Sequence, residues 1–158
     1  KEDDMLNTPE VVELPARTTA VIRMTVKRER MAEAFPPAIQ EVMSVVGAQG
    51  AQPAGPLFAR YLRMGSGEVE VEIGVPLSRP IEPEGRITIS SLPGGSALRA
   101  VHQGSYEELY SSWDQFGRWV AENGHEPDEG LWESYVAGPE TSSDPAEWRT
   151  ELILPLKS

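Results

Sequence analysis

The chain has 158 residues, no cysteine, two histidines and a formal net charge of −11. The length fits one domain of ordinary size. Without cysteine there is no disulfide, zinc–thiolate site or thiol nucleophile, and two histidines are too few for a multi-histidine metal centre. The acidic excess disfavours direct nucleic-acid binding, which needs clustered Lys and Arg, and it attracts cations. We therefore expect no cofactor and no nucleic-acid partner.

No apolar run reaches transmembrane length and no segment resembles a signal peptide, so we expect a cytoplasmic protein with no membrane partner. Residues 1–10 are charged and irregular, which predicts a flexible lead-in, and residues 11–158 are predicted to form a single domain. Because the first residue is Lys rather than Met, residues 1–4 fit either a processing remnant or the end of a linker.

Apolar periodicity predicts strands and two helices, separated by Gly- and Pro-rich breaks. The second helix is the clearest, because its apolar residues recur at helical spacing, which assigns Tyr110, Trp113 and Phe116 to the core. Ser105 and Glu108 fit a capping box at its start. The predicted strands are 11–26, 57–64, 68–75, 86–102, 131–136 and 150–156, and the predicted helices are 31–46 and 106–123.

The two halves of the sequence look like an internal duplication. Leu-Pro at 14–15 recurs at 92–93, and the strand that ends in Pro-Leu at 76–77 recurs with Pro-Leu at 155–156. Similar offsets in the same order predict an α+β fold of tandem β-α-β-β repeats, about 11–79 and 86–156, related by a pseudo-twofold axis. We expect antiparallel sheets, two main helices and a central groove suited to a ligand.

Glu133 is unusual for the strand in which it lies. It stands between Trp132 and Tyr135, and a buried carboxylate is costly unless it is protonated or meets a cation. Strand alternation places Glu133 and Tyr135 on one face and Trp132 on the other. This arrangement fits a site for a flat organic cation, and it also fits a structural salt bridge or a solvated sheet face.

Four segments in order resemble the GyrI-like small-molecule-binding family, which includes effector-binding domains of MerR- and AraC-type regulators. They are GPLFARY at 55–61, VHQGSYEEL at 101–109, LWESY at 131–135, and WRTE at 148–151 followed by LPL at 154–156. The resemblance implies a groove for amphipathic, often cationic, aromatic compounds. Glu133 matches the family's glutamate at the groove floor and Tyr135 matches a groove aromatic. Further aromatic candidates at or near the groove are Phe58, Tyr61, Tyr106, Trp132 and Trp148.

The resemblance leaves three functions open. The first is binding of hydrophobic cations for multidrug sensing or sequestration, by a stand-alone protein or by the ligand domain of a larger regulator. The second is hydrolysis, because some members open the cyclopropane of DNA-alkylating natural products. Glu133 would then act as general base while Tyr135 hydrogen-bonds the conjugated carbonyl. The third is protein–protein inhibition of a topoisomerase. The oligomeric state and the natural ligand stay open.

Overall fold

The computed structural model describes residues 5–157, which form an α+β fold of antiparallel strands and two α-helices. Short 3₁₀ segments precede α1, α2 and β8. The predicted fold class is confirmed. The main elements are β1 (Glu10–Leu14), β2 (Arg17–Lys27), α1 (Met31–Ala48), β3 (Phe58–Met64), β4 (Glu68–Pro76), β5 (Ile87–Leu92), β6 (Gly95–Gln103), α2 (Leu109–Glu122), β7 (Trp132–Ala137) and β8 (Arg149–Pro155).

The chain divides into two compact units with matching topology. The central unit is Pro15–Gly94, and the terminal unit combines Lys1–Leu14 with Gly95–Ser158. Strands of the central unit follow the order β5-β2-β4-β3, and those of the terminal unit follow the order β1-β6-β8-β7. In each unit a strand, a helix and a hairpin succeed one another in the chain, so the predicted tandem β-α-β-β arrangement is present.

Each predicted Leu-Pro bend lies between two strands that belong to different units. β1 ends at Leu14 and pairs with β6, whereas β2 pairs with β4 and β5. β5 ends in the same way at Leu92, before β6. Proline has no N–H to continue a ladder, which explains why each strand ends there. The first strand of each repeat thus joins the sheet of the other repeat.

In the central unit, α1 covers one face of the sheet. Its Ala38, Val42 and Val46 pack against alternate residues of the strands, including Ile22 and Ile87. Because paired residues in antiparallel strands project to the same side, the register assigns the remaining strand residues to one face or the other. Residues that face α1 are Ala20, Ile22, Ala59, Tyr61, Ile73, Val75 and Ile87.

In the terminal unit, α2 covers the equivalent face with Phe116 and Val120. Its start differs from the prediction. Tyr106–Glu108 is a 3₁₀ segment, and the Ser105 side chain makes no capping hydrogen bond, so the predicted capping box is wrong. Tyr110 is also not a core residue, since it is 83% exposed. The predicted stop is correct, because Gly124 follows the helix with φ +71°, a conformation that glycine adopts without strain.

Part of the predicted flexible lead-in, residues 1–4, lies outside the described residues. Residues 5–7 are paired with β6: the Gln103 amide donates to the Met5 carbonyl (2.8 Å), and the Asn7 amide donates to the Val101 carbonyl (3.1 Å). Within residues 5–157, neither helix combines the length and the apolar character needed to cross a bilayer.

Gly74 offers a test of the central sheet. A Cβ added there would lie 1.9 Å from the Ala20 carbonyl oxygen of β2, whereas one added at Gly47 in α1 would meet nothing within 4 Å. We expect Gly74→Ala to lower the free energy of unfolding by about 1–3 kcal/mol through overpacking. Gly47→Ala, the control, is expected to raise it by about 0.5–1 kcal/mol. Urea unfolding measures both, and an unchanged midpoint for Gly74→Ala would contradict the β2–β4 geometry.

Candidate functional site

Glu133 lies on β7, on the face of the terminal sheet that carries α2. Its cross-strand partner on β8 is Leu152, and the next residue on this face, Tyr135, is paired with Thr150. Leu152 packs against Phe116 of α2, which fixes the side to which Glu133 projects. Only 6% of Glu133 is exposed. The carboxylate is therefore buried between a sheet and a helix, where ionisation is costly.

Two neutral donors hold the Glu133 carboxylate. The indole Nε1–H of Trp113 on α2 donates to Oε2 (2.7 Å), and the Tyr135 hydroxyl donates to Oε1 (2.7 Å). The Trp113 ring stacks on Phe116 with centroids 5.6 Å apart and an interplanar angle of 12°. Among residues 5–157, no Lys or Arg forms an ion pair with Glu133. The buried acid is thus hydrogen-bonded, but no Lys or Arg in the described part of the chain neutralises its charge.

Burial raises the pKa of Glu133 above its ordinary value of 4.5, and the hydrogen bonds from Tyr135 and Trp113 oppose that rise. Desolvation is the largest effect, because the charged form loses its hydration and gains only dipolar partners. The acid thus favours its protonated form more than an exposed glutamate does. A cation placed beside it would reverse this preference.

Three aromatic rings in mutual contact lead away from Glu133, beginning with Tyr135, and we call Tyr106, Tyr135 and Trp148 the ring cluster. The Tyr106 ring meets Tyr135 edge-on, with centroids 5.7 Å apart, and it lies 5.1 Å from the Trp148 ring at a tilt of 35°. Tyr106 is 38% exposed, so the cluster extends from the buried carboxylate to the surface. Aromatic faces carry partial negative charge and attract cations.

His102 anchors the segment that carries Tyr106. It is fully buried on β6, where Nε2 lies 2.9 Å from the Ser105 carbonyl oxygen and Nδ1 lies 2.6 Å from the Ser112 hydroxyl. A carbonyl oxygen can only accept, so Nε2 carries the proton, and in the neutral ring Nδ1 accepts from Ser112. This histidine fixes the start of the 3₁₀ segment and the first turns of α2.

The loop between β7 and β8 holds Trp148 in place. The indole Nε1–H donates to the Ser142 carbonyl (2.8 Å), and the Trp148 carbonyl accepts from the Gly104 amide (3.0 Å). Asp144 caps the 3₁₀ segment Pro145–Glu147 by accepting from the Ala146 amide. The third ring of the cluster is therefore fixed from both sides.

Other predicted site residues lie elsewhere. Trp132 is buried, but alternation along β7 directs it to the face opposite Glu133. Phe58 and Tyr61 belong to the central unit, where Tyr61 faces α1 and Phe58 projects from the other side of β3. The terminal unit by itself thus brings together Glu133, Tyr135, Tyr106 and Trp148.

Trp113 was assigned to the core from its spacing, and its hydrogen bond to Glu133 was missed. A tryptophan three residues before Phe116 matches the packing stripe of α2, and its ring does stack there. What the spacing leaves out is the indole N–H, which needs a partner when it is buried. The buried indole N–H needs an acceptor, and Glu133 is the acid of β7, so the sequence contained enough information to predict this hydrogen bond.

The fold, the buried acid and the ring cluster together define a small-molecule-binding class of domain. The model of the GyrI-like small molecule binding domain matches residues 7–157, so the chain belongs to that family. No curated protein sequence matches the chain significantly.

Solved structures with the same fold include the C-terminal domain of EcmrR, which is 23% identical with a TM-score of 0.83 over 96% of this chain and 98% of that one. In an EcmrR–DNA complex the identity is 25% and the TM-score 0.84, over 98% of this chain but 58% of the EcmrR chain. The present chain thus spans less than two thirds of that relative.

Two more distant structures share the fold alone. SAV2435 bound to tetraphenylphosphonium is 13% identical, with a TM-score of 0.72 over 96% of this chain and 95% of that one. A hydrolase from Listeria innocua is 14% identical, with a TM-score of 0.61 over 94% of this chain and 91% of that one.

The raised pKa of Glu133 predicts how stability depends on pH. In the unfolded chain Glu133 ionises near 4.5, and in the folded protein it ionises at a higher pH. The folded state then binds more protons between these two values, so the free energy of unfolding falls as pH rises through that interval. Glu133→Gln lacks this loss, and its stability relative to wild type should increase from acidic to neutral pH.

Urea unfolding of both proteins at several pH values measures this difference, and all other acids cancel in the comparison. Trp113→Phe removes one donor to the ionised form and should enlarge the loss. Parallel pH profiles for wild type and Glu133→Gln would contradict the assignment.

Proposed function

We propose that this protein binds amphipathic aromatic cations at Glu133 and the ring cluster, as the step that underlies multidrug sensing or sequestration. The observation that carries the proposal is the buried Glu133 carboxylate, which is held by Trp113 and Tyr135 and is without a counter-ion among the described residues. Both uses, in a stand-alone protein or in a longer regulator, require this same binding step.

Charge supports a cationic ligand. A buried carboxylate with only neutral donors is destabilised in its ionised form, and an organic cation beside it would recover much of that cost. The chain's net charge of −11 adds a field that concentrates cations around the protein. The charge of Glu133 and the net charge of the chain would both repel an anionic ligand.

The ring cluster supports an aromatic or alkylated cation. Its three rings offer faces and edges at centroid separations of 5.1 and 5.7 Å, beside the hydroxyl that donates to Glu133. A cation over such a face contributes about 0.5–2 kcal/mol, and apolar substituents on the ligand gain from leaving water. SAV2435, a distant relative in fold, is known with tetraphenylphosphonium bound, which makes this compound a suitable first probe.

Removing the charge of Glu133 should weaken the binding of tetraphenylphosphonium. We expect Glu133→Gln to raise the dissociation constant roughly 10- to 100-fold, because two charges about 6–8 Å apart at an effective dielectric constant of about 20 attract each other by about 2–3 kcal/mol. Isothermal titration calorimetry or displacement of a fluorescent planar cation measures the change. Equal affinities would contradict the assigned role of Glu133.

Glu72→Gln is the matched control. Glu72 is buried to a similar degree, at 7% exposed, but it belongs to the central unit, where it accepts from the Ser90 hydroxyl and lies opposite Arg23 and Arg60 in the strand register. Glu72→Gln removes the same formal charge as Glu133→Gln, so it controls for the weaker electrostatic field of the whole protein. Its effect on the dissociation constant should be small.

Binding of a permanent cation should also depend on pH. The ligand requires ionised Glu133, and burial raises the pKa of this acid above 4.5 in the free protein. The association constant should therefore rise with pH up to that pKa and level off above it, with a limiting slope of about one decade per pH unit. Titrations of tetraphenylphosphonium across this range measure the slope, and a flat profile that matches Glu133→Gln would count against the mechanism.

Hydrolysis is the second candidate. A carboxylic acid with a raised pKa beside a phenol is suited to general base catalysis on a strained, neutral electrophile, and a relative in fold is named a hydrolase. However, the Tyr135 hydroxyl donates to Glu133 itself, so it would have to exchange partners to assist a substrate carbonyl. Mass spectrometry of a cyclopropanoid incubated with excess protein separates the two functions, because a binder returns the compound unchanged.

A further inference from the structure

We propose that the site takes elongated dications, with one positive charge at Glu133 and the second at Glu140, on either side of Tyr106. The inference rests on the proposed binding function and adds a class of ligand to it. Glu140 follows β7 in the loop that leads to Trp148, and it is exposed.

Glu140 and the Tyr106 hydroxyl converge on Gly138. A Cβ added at Gly138 would lie 2.5 Å from the Tyr106 hydroxyl oxygen and 3.1 Å from Oε1 of Glu140. The absence of a side chain at this glycine therefore lets both polar groups approach the same point. Among residues 5–157, Glu140 forms no ion pair with a Lys or Arg.

Tyr106 lies in the field of both carboxylates. Burial, followed by the negative charges of Glu140 and Glu133, raises the pKa of its phenol above the ordinary value of 10. The same ring contacts Tyr135, whose hydroxyl donates to Glu133, so it lies between the buried acid and the exposed one. Desolvation disfavours a charge of either sign, whereas the contribution of the two carboxylates favours a cation beside this ring.

A second observation indicates an incomplete polar environment on this face. Thr150 lies directly across from Tyr135 and is fully buried, and its hydroxyl oxygen has no hydrogen-bond partner among residues 5–157. Buried polar atoms are generally paired, so an orphaned one beside the ring cluster marks a place where a ligand or a water completes the contacts. In the described part of the chain, the inner end of the proposed site thus has a hydroxyl without a hydrogen-bond partner, and the outer end has a carboxylate without an ion-pair partner.

The test compares bis(trimethylammonium)alkanes of increasing chain length with the singly charged alkyltrimethylammonium of each length, below its micelle concentration. The measured quantity is the ratio of the two dissociation constants, obtained for wild type and for Glu140→Gln. At a matching chain length we expect the ratio to favour the dication in wild type, by about 1.4- to 5-fold more than in Glu140→Gln. This range corresponds to about 0.2–1 kcal/mol for an exposed ion pair.

Glu126→Gln is the control, because Glu126 is also exposed and its replacement makes the net charge less negative by the same amount. It should leave the ratio near the wild-type value, and added salt should reduce the gain in wild type. Equal ratios in wild type and Glu140→Gln at every chain length overturn the dication proposal and leave monocation binding intact. If the singly charged compounds bind wild type and Glu133→Gln equally, the proposed function fails, and the dication proposal fails with it.

Discussion

The constraint on which the terminal unit depends is the burial of a carboxylate without a cation. Glu133 is held by one donor from the helix and one from its own strand, so the positions of α2 and β7 must agree. Stacking of Trp113 on Phe116 fixes the first donor, and the strand alternation fixes the second. The arrangement keeps a costly group hydrogen-bonded without an ion-pair partner among the described residues.

Most of the fold could be predicted, because apolar periodicity is a local property of the sequence. The helices and the hairpins follow from it, and the repeat follows from short motifs that recur at similar offsets. The partners of β1 and β5 could not be predicted. Leu14-Pro15 shows that a strand ends, since proline cannot continue the ladder. The end of a strand does not indicate which other strand it is paired with. β1 is paired with β6, which lies far away in the sequence, so local patterns do not reveal this pairing.

The candidate site was predictable where a single strand determines geometry. Alternation is enough to place Glu133 and Tyr135 on one face of β7. Prediction failed at the start of α2, where a 3₁₀ segment replaces the first helical turn. Three residues per turn instead of 3.6 shift the phase of the helix, so Tyr106 and Tyr110 no longer share a face. Tyr106 joins the ring cluster and Tyr110 is exposed.

A buried acid is not sufficient to make a site, as the two units show. At the position equivalent to Glu133 the central unit has Ala59, while Tyr61 matches Tyr135 on the same face. The buried acid of the central unit, Glu72, projects from the other face, where it accepts from the Ser90 hydroxyl and lies opposite Arg23 and Arg60 in the strand register. Glu133 differs in its aromatic neighbours, Trp113 and Tyr135, and the proposed cation site depends on this difference.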